Sequence, residues 1–257
     1  MSRAPKNQFK ARLRAGETQW GLWSTLNSPV AAEALSLTGF DWMLFDTEHS
    51  PVEVAGVQPL LQAAAVGTAA AVARPAWNDK VLIKKLLDIG VQTLLVPFVE
   101  TEEEAAQAVR ASRYPPEGIR GVAGSTRASR FGTASDYQKT ANDEICVLVQ
   151  IETMQALDRL EQIAAVDGVD GIFIGPADLS ASMGYLGTPD AEPVQDAIRA
   201  AGARITAAGK APGILATNSA DALRYQGWGY RFVAGGVDTG LMMAAAKALR
   251  AQLHGAS

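Results

Sequence analysis

The chain has 257 residues, of which 48% are hydrophobic and 19% charged. Its formal net charge of -4 offers no basic surface for nucleic acid or an anionic membrane, and no apolar run approaches the ~20 residues that span a bilayer. A single cysteine, Cys146, excludes an internal disulfide and a thiolate metal cluster, and we interpret it as a core residue. Residues 1–16 are polar and basic, without the apolar stretch of a secretory signal, so we expect a cytoplasmic protein.

Strand and helix patterns alternate along the chain. Short apolar, β-branched segments predict eight strands, at residues 19–26, 42–46, 71–74, 93–97, 146–151, 171–175, 212–215 and 231–234. Helical spacing predicts a capping helix within residues 1–18, with Phe9 and Leu13 on one side, and further helices at 52–66, 79–89, 102–113, 154–166, 191–208, 219–226 and 239–253. Asn78 is the expected N-cap of the helix at 79–89, and Thr101 opens a capping box at the start of the helix at 102–113.

Eight strands alternating with helices predict an α/β fold, a closed (β/α)8 TIM barrel that spans residues 1–257 as a single domain. An open doubly wound sheet is the alternative, but that fold usually has fewer strands and a glycine-rich phosphate motif after the first. The sequence after the first predicted strand, STLNSP at 24–29, is no such motif. Residues 235–240, GGVDTG, suit either an anion site at a helix N-terminus or a simple tight turn.

One segment interrupts the alternation. Residues 115–142 form a long Gly- and Ser-rich insertion that contains Arg120, Arg127 and Arg130. Long loops in compact domains are usually lids or binding loops, and we expect such a role here.

Two acidic residues, Glu152 and Asp178, follow the apolar runs 147–151 and 171–177. A helix between these runs makes the strands parallel, so their carboxyl ends lie on the same side. Two hard oxygen donors at one rim suit an octahedral divalent ion whose other positions are filled by water and substrate. The alternative for each acid is a helix N-cap or a partner for a surface arginine.

Other reactive side chains also lie at predicted strand ends, where barrel enzymes place their active sites. His49 comes three residues after Asp46, which could orient its imidazole. Arg74 ends an apolar strand and needs an anionic partner. That partner is either a substrate carboxylate or enolate, or Asp46 or Glu48 in a structural salt bridge.

Lysines are missing from this rim, although a Schiff-base enzyme needs one there. Lys80, Lys84 and Lys85 lie on a predicted helix, Lys139 in the insertion and Lys210 at the wrong end of its strand. Covalent imine chemistry is therefore disfavoured, and carbanion chemistry at this rim needs a metal ion instead.

Five motifs occur in order along the chain: FDTEH (45–49), ARP (73–75), YPPEGIRG (114–121), QIET (150–153) and GPADLS (175–180). With these motifs the chain resembles the metal-dependent pyruvate aldolases of the HpcH/HpaI type, from about Phe9 to Leu249. The resemblance implies reversible retro-aldol cleavage of a 4-hydroxy-2-oxo acid into pyruvate and an aldehyde, through a metal-stabilised enolate. It also implies a homo-hexamer whose C-terminal helices are exchanged between subunits, which fits the Ala- and Met-rich residues 241–249.

The resemblance also implies roles for individual residues. Glu152 and Asp178 would bind Mg²⁺, Mn²⁺ or Co²⁺, which pyruvate would chelate through its carboxylate and keto oxygens. The residues implied to hold or surround the substrate are Trp23, Gln150, Gly175, Pro176, Ala177 and Leu215.

The implied catalytic residues are Arg74, His49, Asp46 and Asp88. Arg74 would bind the keto oxygen and stabilise the enolate, and His49 would act as the base at the aldol hydroxyl. Asp46 would lie near the acceptor region, and Asp88, from the same or a neighbouring subunit, would orient His49.

Two other functions remain open from the sequence. A related barrel lyase could act on a CoA thioester such as citramalyl- or malyl-CoA, for which the arginines of the insertion would supply a basic patch. Alternatively, the barrel could bind a 2-oxo acid and a metal ion without turnover, although the presence of His49 argues against this.

Overall fold

The protein is a closed barrel of eight parallel strands in a computed structural model that describes residues 3–255. The strands are β1 (Gln19–Ser24), β2 (Trp42–Asp46), β3 (Ala70–Arg74), β4 (Thr93–Val96), β5 (Cys146–Ile151), β6 (Gly171–Ile174), β7 (Ala211–Leu215) and β8 (Phe232–Val237). Each strand pairs with the next in parallel, and β8 pairs with β1 to close the ring. The predicted (β/α)8 barrel is confirmed, with all eight strands near their predicted positions.

The helices surround the barrel or close its ends. They are α1 (Gln8–Arg14), α2 (Pro29–Ser36), α3 (Val54–Ala64), α4 (Lys80–Asp88), α5 (Glu102–Ser112), α6 (Tyr137–Glu144), α7 (Met154–Asp158), α8 (Leu160–Ala165), α9 (Pro176–Ser182), α10 (Glu192–Ala207), α11 (Ser219–Gly227) and α12 (Asp238–Gly255). Helices α2, α6 and α9 were not predicted. The helix predicted at 154–166 is two helices, because Arg159 (φ -105°, ψ 14°) leaves the helical conformation between them. None of the helices within residues 3–255 is long and apolar enough to cross a membrane.

Two helix starts test the capping predictions. Asp79, not Asn78, is the N-cap of α4, and its carboxylate accepts hydrogen bonds from the backbone of Val81 and Leu82. The capping box of α5 is confirmed, since Thr101 and Glu104 bond reciprocally.

The predicted capping helix is confirmed as α1, which closes the amino end of the barrel. Phe9 and Leu13 are buried among the residues of the barrel interior. The ring of Phe9 lies 6.1 Å from that of Trp42 and 6.0 Å from that of Phe232, both at edge-to-face angles that aromatic pairs prefer. Cys146, at the start of β5, is fully buried in the same interior, as expected of a core residue. With the amino end sealed in this way, the opposite end carries the rim on which the predicted site residues lie.

The C-terminal helix α12 stands in contrast to the rest of the fold. Its first residue, Asp238, is buried, but residues 240–255 are exposed. The exposed apolar side chains are Leu241, Met242, Met243, Leu249 and Leu253. Within one chain, therefore, this helix leaves its apolar residues uncovered.

Candidate active site

A cavity of about 210 Å³ lies at the carboxyl ends of the strands. Its lining residues are Trp23, Thr25, Asp46, His49, Arg74, Gln150, Phe173, Gly175, Pro176, Ala177, Asp178, Leu215 and Val237. The lining contains every predicted site residue except Glu152 and Asp88. Thr25, Phe173 and Val237 were not predicted. Alternation along β6 could have identified Phe173, because Gly171 and Phe173 share one face of that strand.

Arg74 and Asp46 form the central ion pair of this rim. They are direct neighbours in the register of β2 and β3. Arg74 Nε donates to Asp46 Oδ1 at 2.8 Å and Nη2 to Oδ2 at 2.6 Å, and Trp23 Nε1 donates to Oδ2 at 3.2 Å. Burial by itself raises the pKa of Asp46, but the hydrogen bonds and charge of Arg74 outweigh it and hold the pKa below its usual value. Asp46 is therefore a carboxylate that fixes the orientation of the guanidinium.

Glu48, predicted only as a possible salt-bridge partner of Arg74, makes that contact in the structure. Its Oε2 lies 2.8 Å from Arg74 Nη1, and its side chain is almost fully buried. Burial raises the pKa of Glu48, whereas the nearby charges of Arg74 and His49 oppose that rise. Its spacing of two residues from Asp46 suits two side chains on one face, as the two contacts with Arg74 require.

His49 lines the cavity but is mostly exposed, with its side chain 63% accessible. The nearest acid is Glu48, whose Oε1 lies 3.9 Å from His49 Nε2. The expectation that Asp46 orients the imidazole is not met, because the Asp46 carboxylate accepts its hydrogen bonds from Arg74, Trp23 and the Glu48 amide. His49 thus lies at the exposed mouth of the cavity without a contact to Asp46.

Asp88 lies away from the rim cavity within one chain. It lines a separate cavity of about 680 Å³ and accepts a hydrogen bond of 2.8 Å from Arg120. The buried Arg120 guanidinium packs 4.4 Å from the ring centre of Tyr114. An orienting role for Asp88 at His49 therefore stays a prediction that requires a neighbouring subunit.

The insertion does not cover the rim cavity. Among the described residues, none from 115–142 lines it. Arg127 and Arg130 instead line a cavity of about 520 Å³ together with Ala71 and Gln92, beside the first residues of β3 and β4. That cavity is at the opposite end of the barrel, so the insertion is not a lid over the rim cavity within one chain. A role as a binding loop stays a prediction.

Glu152 lies buried beneath the cavity, directly after β5, with 1% exposure. Its Oε1 accepts a hydrogen bond of 3.0 Å from the Phe98 amide, and its Oε2 accepts one from Gln150 Nε2. Burial raises the pKa of Glu152 to about 7, and the charges of Glu48 and Asp178 add to this rise. Gly175 makes room for the carboxylate, because a Cβ there would lie 2.5 Å from Oε2.

Asp178 lies in the first turn of α9 rather than at the end of a strand. β6 ends at Ile174, since Pro176 begins the helix at a position that proline favours. The N-caps are Gly175 for α9 and Thr153 for α7, so neither predicted acid is a helix N-cap. Asp178 lines the cavity from the first turn of α9.

The residues present fit a divalent cation. The charges of Glu48 and Asp178 raise the pKa of Glu152, and the charge of Asp178 also raises that of Glu48, so the three carboxyl groups lie close together. One buried acceptor atom, Gln150 Oε1, accepts no hydrogen bond from a described residue, and hard oxygen donors in such a set suit Mg²⁺ or Mn²⁺. Residues 3–255 contain no group of three or more acidic, His or Cys side chains arranged as a metal cage. A cation here would therefore depend on few protein ligands and on water or substrate.

The turn at residues 235–240 is filled by the chain's own carboxylate. β8 extends to Val237, and Asp238 accepts hydrogen bonds from the amides of Thr25, Leu26 and Thr239 at 3.0, 3.1 and 2.7 Å. These contacts favour the tight turn over an external anion site at this helix N-terminus. Asp238 instead ties α12 to the loop that carries Thr25 in the cavity wall.

Residues 19–245 match the HpcH/HpaI aldolase/citrate lyase family. The chain belongs to this family. It is 56% identical to a 4-hydroxy-2-oxo-heptane-1,7-dioate aldolase from Shigella sonnei over 96% of this chain and 95% of that protein. It is 54% identical to a pyruvate aldolase from Rhizobium etli over 96% of this chain and 98% of that protein.

A solved family member from Burkholderia cenocepacia has a similar structure. It is 40% identical, with a TM-score of 0.92 over 97% of this chain and 100% of that one. The family resemblance inferred from the five motifs is thus confirmed over most of the chain.

Proposed function

We propose that the protein is a metal-dependent pyruvate aldolase that cleaves a 4-hydroxy-2-oxo acid reversibly into pyruvate and an aldehyde. The observation that carries this proposal is the rim cavity, where one fixed guanidinium faces buried carboxylates and none of the described lysines lines the wall. The names of the relatives from Shigella sonnei and Rhizobium etli support the same reaction.

Glu152 and Asp178 would hold a divalent ion, either Mg²⁺, Mn²⁺ or Co²⁺, beside Gln150. When bound, the ion would supply Lewis-acid polarisation of the 2-oxo acid. Gln150 Nε2 holds Glu152 in place, and Gly175 keeps the space next to the carboxylate clear of a side chain.

Arg74 would bind the keto oxygen of the substrate. A guanidinium has five N–H donors, and the contacts with Asp46 and Glu48 leave some of them for a ligand. As the C3–C4 bond breaks, its electron pair moves toward the keto group, and Arg74 stabilises the negative charge that develops on that oxygen. Because Asp46 already fixes Arg74, little reorganisation is needed at this step.

His49 would take the proton from the C4 hydroxyl, which becomes the aldehyde carbonyl. The C3 carbon of the released enolate then takes a proton to give pyruvate. Trp23, Pro176, Ala177 and Leu215 line the cavity and would supply its apolar walls. These residues would set which aldehyde fits.

We also propose that the chain, acting as one barrel domain, assembles into a homo-hexamer in the cytoplasm. The exposed apolar side chains of α12 support an exchange of this helix between subunits, since a neighbour would cover them. In such an assembly Asp88 could reach His49 of a neighbouring subunit.

The proposal is tested by supplying a panel of 4-hydroxy-2-oxo acids and measuring pyruvate release. We expect release that depends on a divalent ion, stops with EDTA and is lost in Glu152→Ala, whereas the matched surface variant Glu161→Ala keeps it. Release of acetyl-CoA or pyruvate from citramalyl- or malyl-CoA, with none from the free acids, would favour the thioester lyase. The structure offers that alternative little support, because Arg127 and Arg130 lie at the far end of the barrel.

A further inference from the structure

Phe98 has an unusual backbone conformation next to the candidate metal site. Its φ of +48° lies in the left-handed region, which a bulky residue rarely adopts without compensation. It follows β4 and Pro97, at the rim that carries Glu152. Backbone strain of this kind often accompanies a functional constraint.

The left-handed turn directs two consecutive amides to the end of β5. The Phe98 amide donates to Glu152 Oε1 at 3.0 Å, and the Val99 amide donates to the Gln150 carbonyl at 3.1 Å. Because φ sets the angle between one N–H and the next, an extended Phe98 could not aim both groups at these two residues. The conformation of Phe98 thus determines where the Glu152 carboxylate is held.

The ring of Phe98 stacks on Trp77, and this contact offsets the cost of the left-handed backbone conformation. The ring centres are 5.8 Å apart and the planes 29° apart. Trp77 is 56% exposed and lies in the loop after Arg74. Asn78, the next residue, donates to the Glu104 carbonyl at 3.0 Å, which anchors this loop to α5. The free energy of an aromatic pair is of the same order as the cost of a left-handed residue.

We propose that Trp77 and Phe98 are positioning residues for Glu152. Their stack stabilises the left-handed turn, and the turn holds the carboxylate in the orientation that binds the divalent ion. This inference rests on the proposed function only in taking Glu152 as a metal ligand. Neither residue lines the rim cavity, so their action on a 2-oxo acid would be indirect.

The test is the affinity of the full-length protein for Mn²⁺, measured by EPR titration of free Mn²⁺ without substrate. Three variants are compared: Trp77→Ala, Phe98→Ala and Phe98→Gly. We expect Trp77→Ala and Phe98→Ala to weaken Mn²⁺ binding by about tenfold, as loss of an outer-sphere partner does. Phe98→Gly should recover most of the affinity of the wild type, because glycine adopts the left-handed turn without strain.

That recovery separates a backbone role from ordinary packing. If the Phe98 ring contributed only packing, glycine would bind Mn²⁺ no better than alanine, and this outcome would overturn the inference. Phe131 provides the matched control, since it is also a phenylalanine with positive φ (+57°) and lies in the insertion. Phe131→Ala and Phe131→Gly should leave Mn²⁺ affinity unchanged; weakening by either would point to a general loss of stability and overturn the inference.

The same titration distinguishes failure of the inference from failure of the proposed function. If wild type and Glu152→Ala bind Mn²⁺ equally, or neither binds it, the metal assignment itself is wrong. If wild type binds Mn²⁺, Glu152→Ala does not, and Trp77→Ala and Phe98→Ala bind as wild type does, only the positioning role is wrong. The side chain of Trp77 is exposed, so its removal does not open the core. If Phe98→Ala does not fold, the Mn²⁺ affinity of Trp77→Ala alone tests the positioning role.

Discussion

Asp46 and Arg74 are joined by two parallel hydrogen bonds, of 2.8 and 2.6 Å, between neighbouring strands of the barrel. Both side chains are almost fully buried, at 1% and 5% exposure. A bidentate pair fixes the plane of the guanidinium as well as its position. Asp46 therefore holds the positive charge of Arg74 in a fixed position at the rim. In the proposed reaction, negative charge develops there on the keto oxygen of the substrate.

Replacement of Arg74 by lysine should therefore abolish most of the activity despite keeping the charge. Lysine is a point charge that cannot form the two-pronged pair with Asp46. We expect kcat for pyruvate release to fall by about 10²–10³-fold, the typical loss when an oxyanion donor is removed. Arg204 forms a similar bidentate pair with Glu161 on the surface, so Arg204→Lys should leave kcat unchanged. Equal kcat in Arg74→Lys and wild type would contradict this role.

The Gly175→Ala variant tests the space around Glu152. The backbone of Gly175 (φ -90°) accepts any residue, so the effect would be steric alone. Its Cβ would lie 2.5 Å from Glu152 Oε2 and displace the carboxylate. We expect Mn²⁺ affinity to weaken by about 10–100-fold in a calorimetric titration. Gly227→Ala, where a Cβ would meet nothing within 4 Å, is the control; similar affinities in the two variants would show that the space is not needed.

The metal-free protein should become less stable as the pH rises from 4.5 to 7. The pKa of Glu152 is about 7 in the folded protein against 4.5 for the ordinary group. In this window the folded state holds a proton that the unfolded chain has lost, so the free energy of unfolding falls as the pH rises. The fall attributable to Glu152 should be about 1–3 kcal/mol.

Urea unfolding with EDTA at pH 5, 6 and 7 measures this slope. Glu152→Gln should flatten it in part, because Glu48, whose pKa burial also raises, contributes a slope of the same sign. Glu161 is the control, since its hydrogen bond to Arg204 lowers its pKa to about 2, outside the window. A slope in Glu152→Gln as steep as in Glu161→Gln would contradict the buried, raised pKa.

If α12 is exchanged in the proposed hexamer, charged substitutions on its apolar side chains should break the assembly. Leu241 and Leu249 are 49% and 57% exposed in the chain by itself. Leu241→Glu combined with Leu249→Glu should reduce the molar mass measured by light scattering, without changing the circular dichroism of the barrel. Gln252→Glu, which adds a charge on the same helix but removes no apolar group, should keep the mass of the wild type. A wild-type protein with the mass of one 27.0 kDa chain would refute the hexamer.

The barrel could be predicted from the sequence because buried parallel strands have a strong local pattern. β6 is a continuous apolar run and β5 is apolar except for Gln150, so the acids that follow these strands were expected at the same rim. Because residues at the carboxyl ends of barrel strands share one rim, four cavity-lining residues were predicted correctly: Trp23, Arg74, Gln150 and Leu215.

Contacts between side chains that are far apart in the sequence were harder to predict. The sequence could not decide which acid Arg74 contacts, and the structure shows that it pairs with both Asp46 and Glu48. The burial of Arg120 between two tyrosines depends on residues from separate segments, so its role in the insertion was misjudged. The cytoplasmic location and the identity of the metal stay predictions.

The most direct test of the central claim is hydrogen–deuterium exchange at the methyl group of pyruvate, followed by NMR in D₂O. Exchange reports enolisation of pyruvate without the need to know the aldehyde. We predict exchange that requires Mg²⁺, Mn²⁺ or Co²⁺ and is abolished by EDTA and by Glu152→Ala, but not by Glu161→Ala. Exchange that survives EDTA and Glu152→Ala, or no exchange with any of the three ions, would contradict the account.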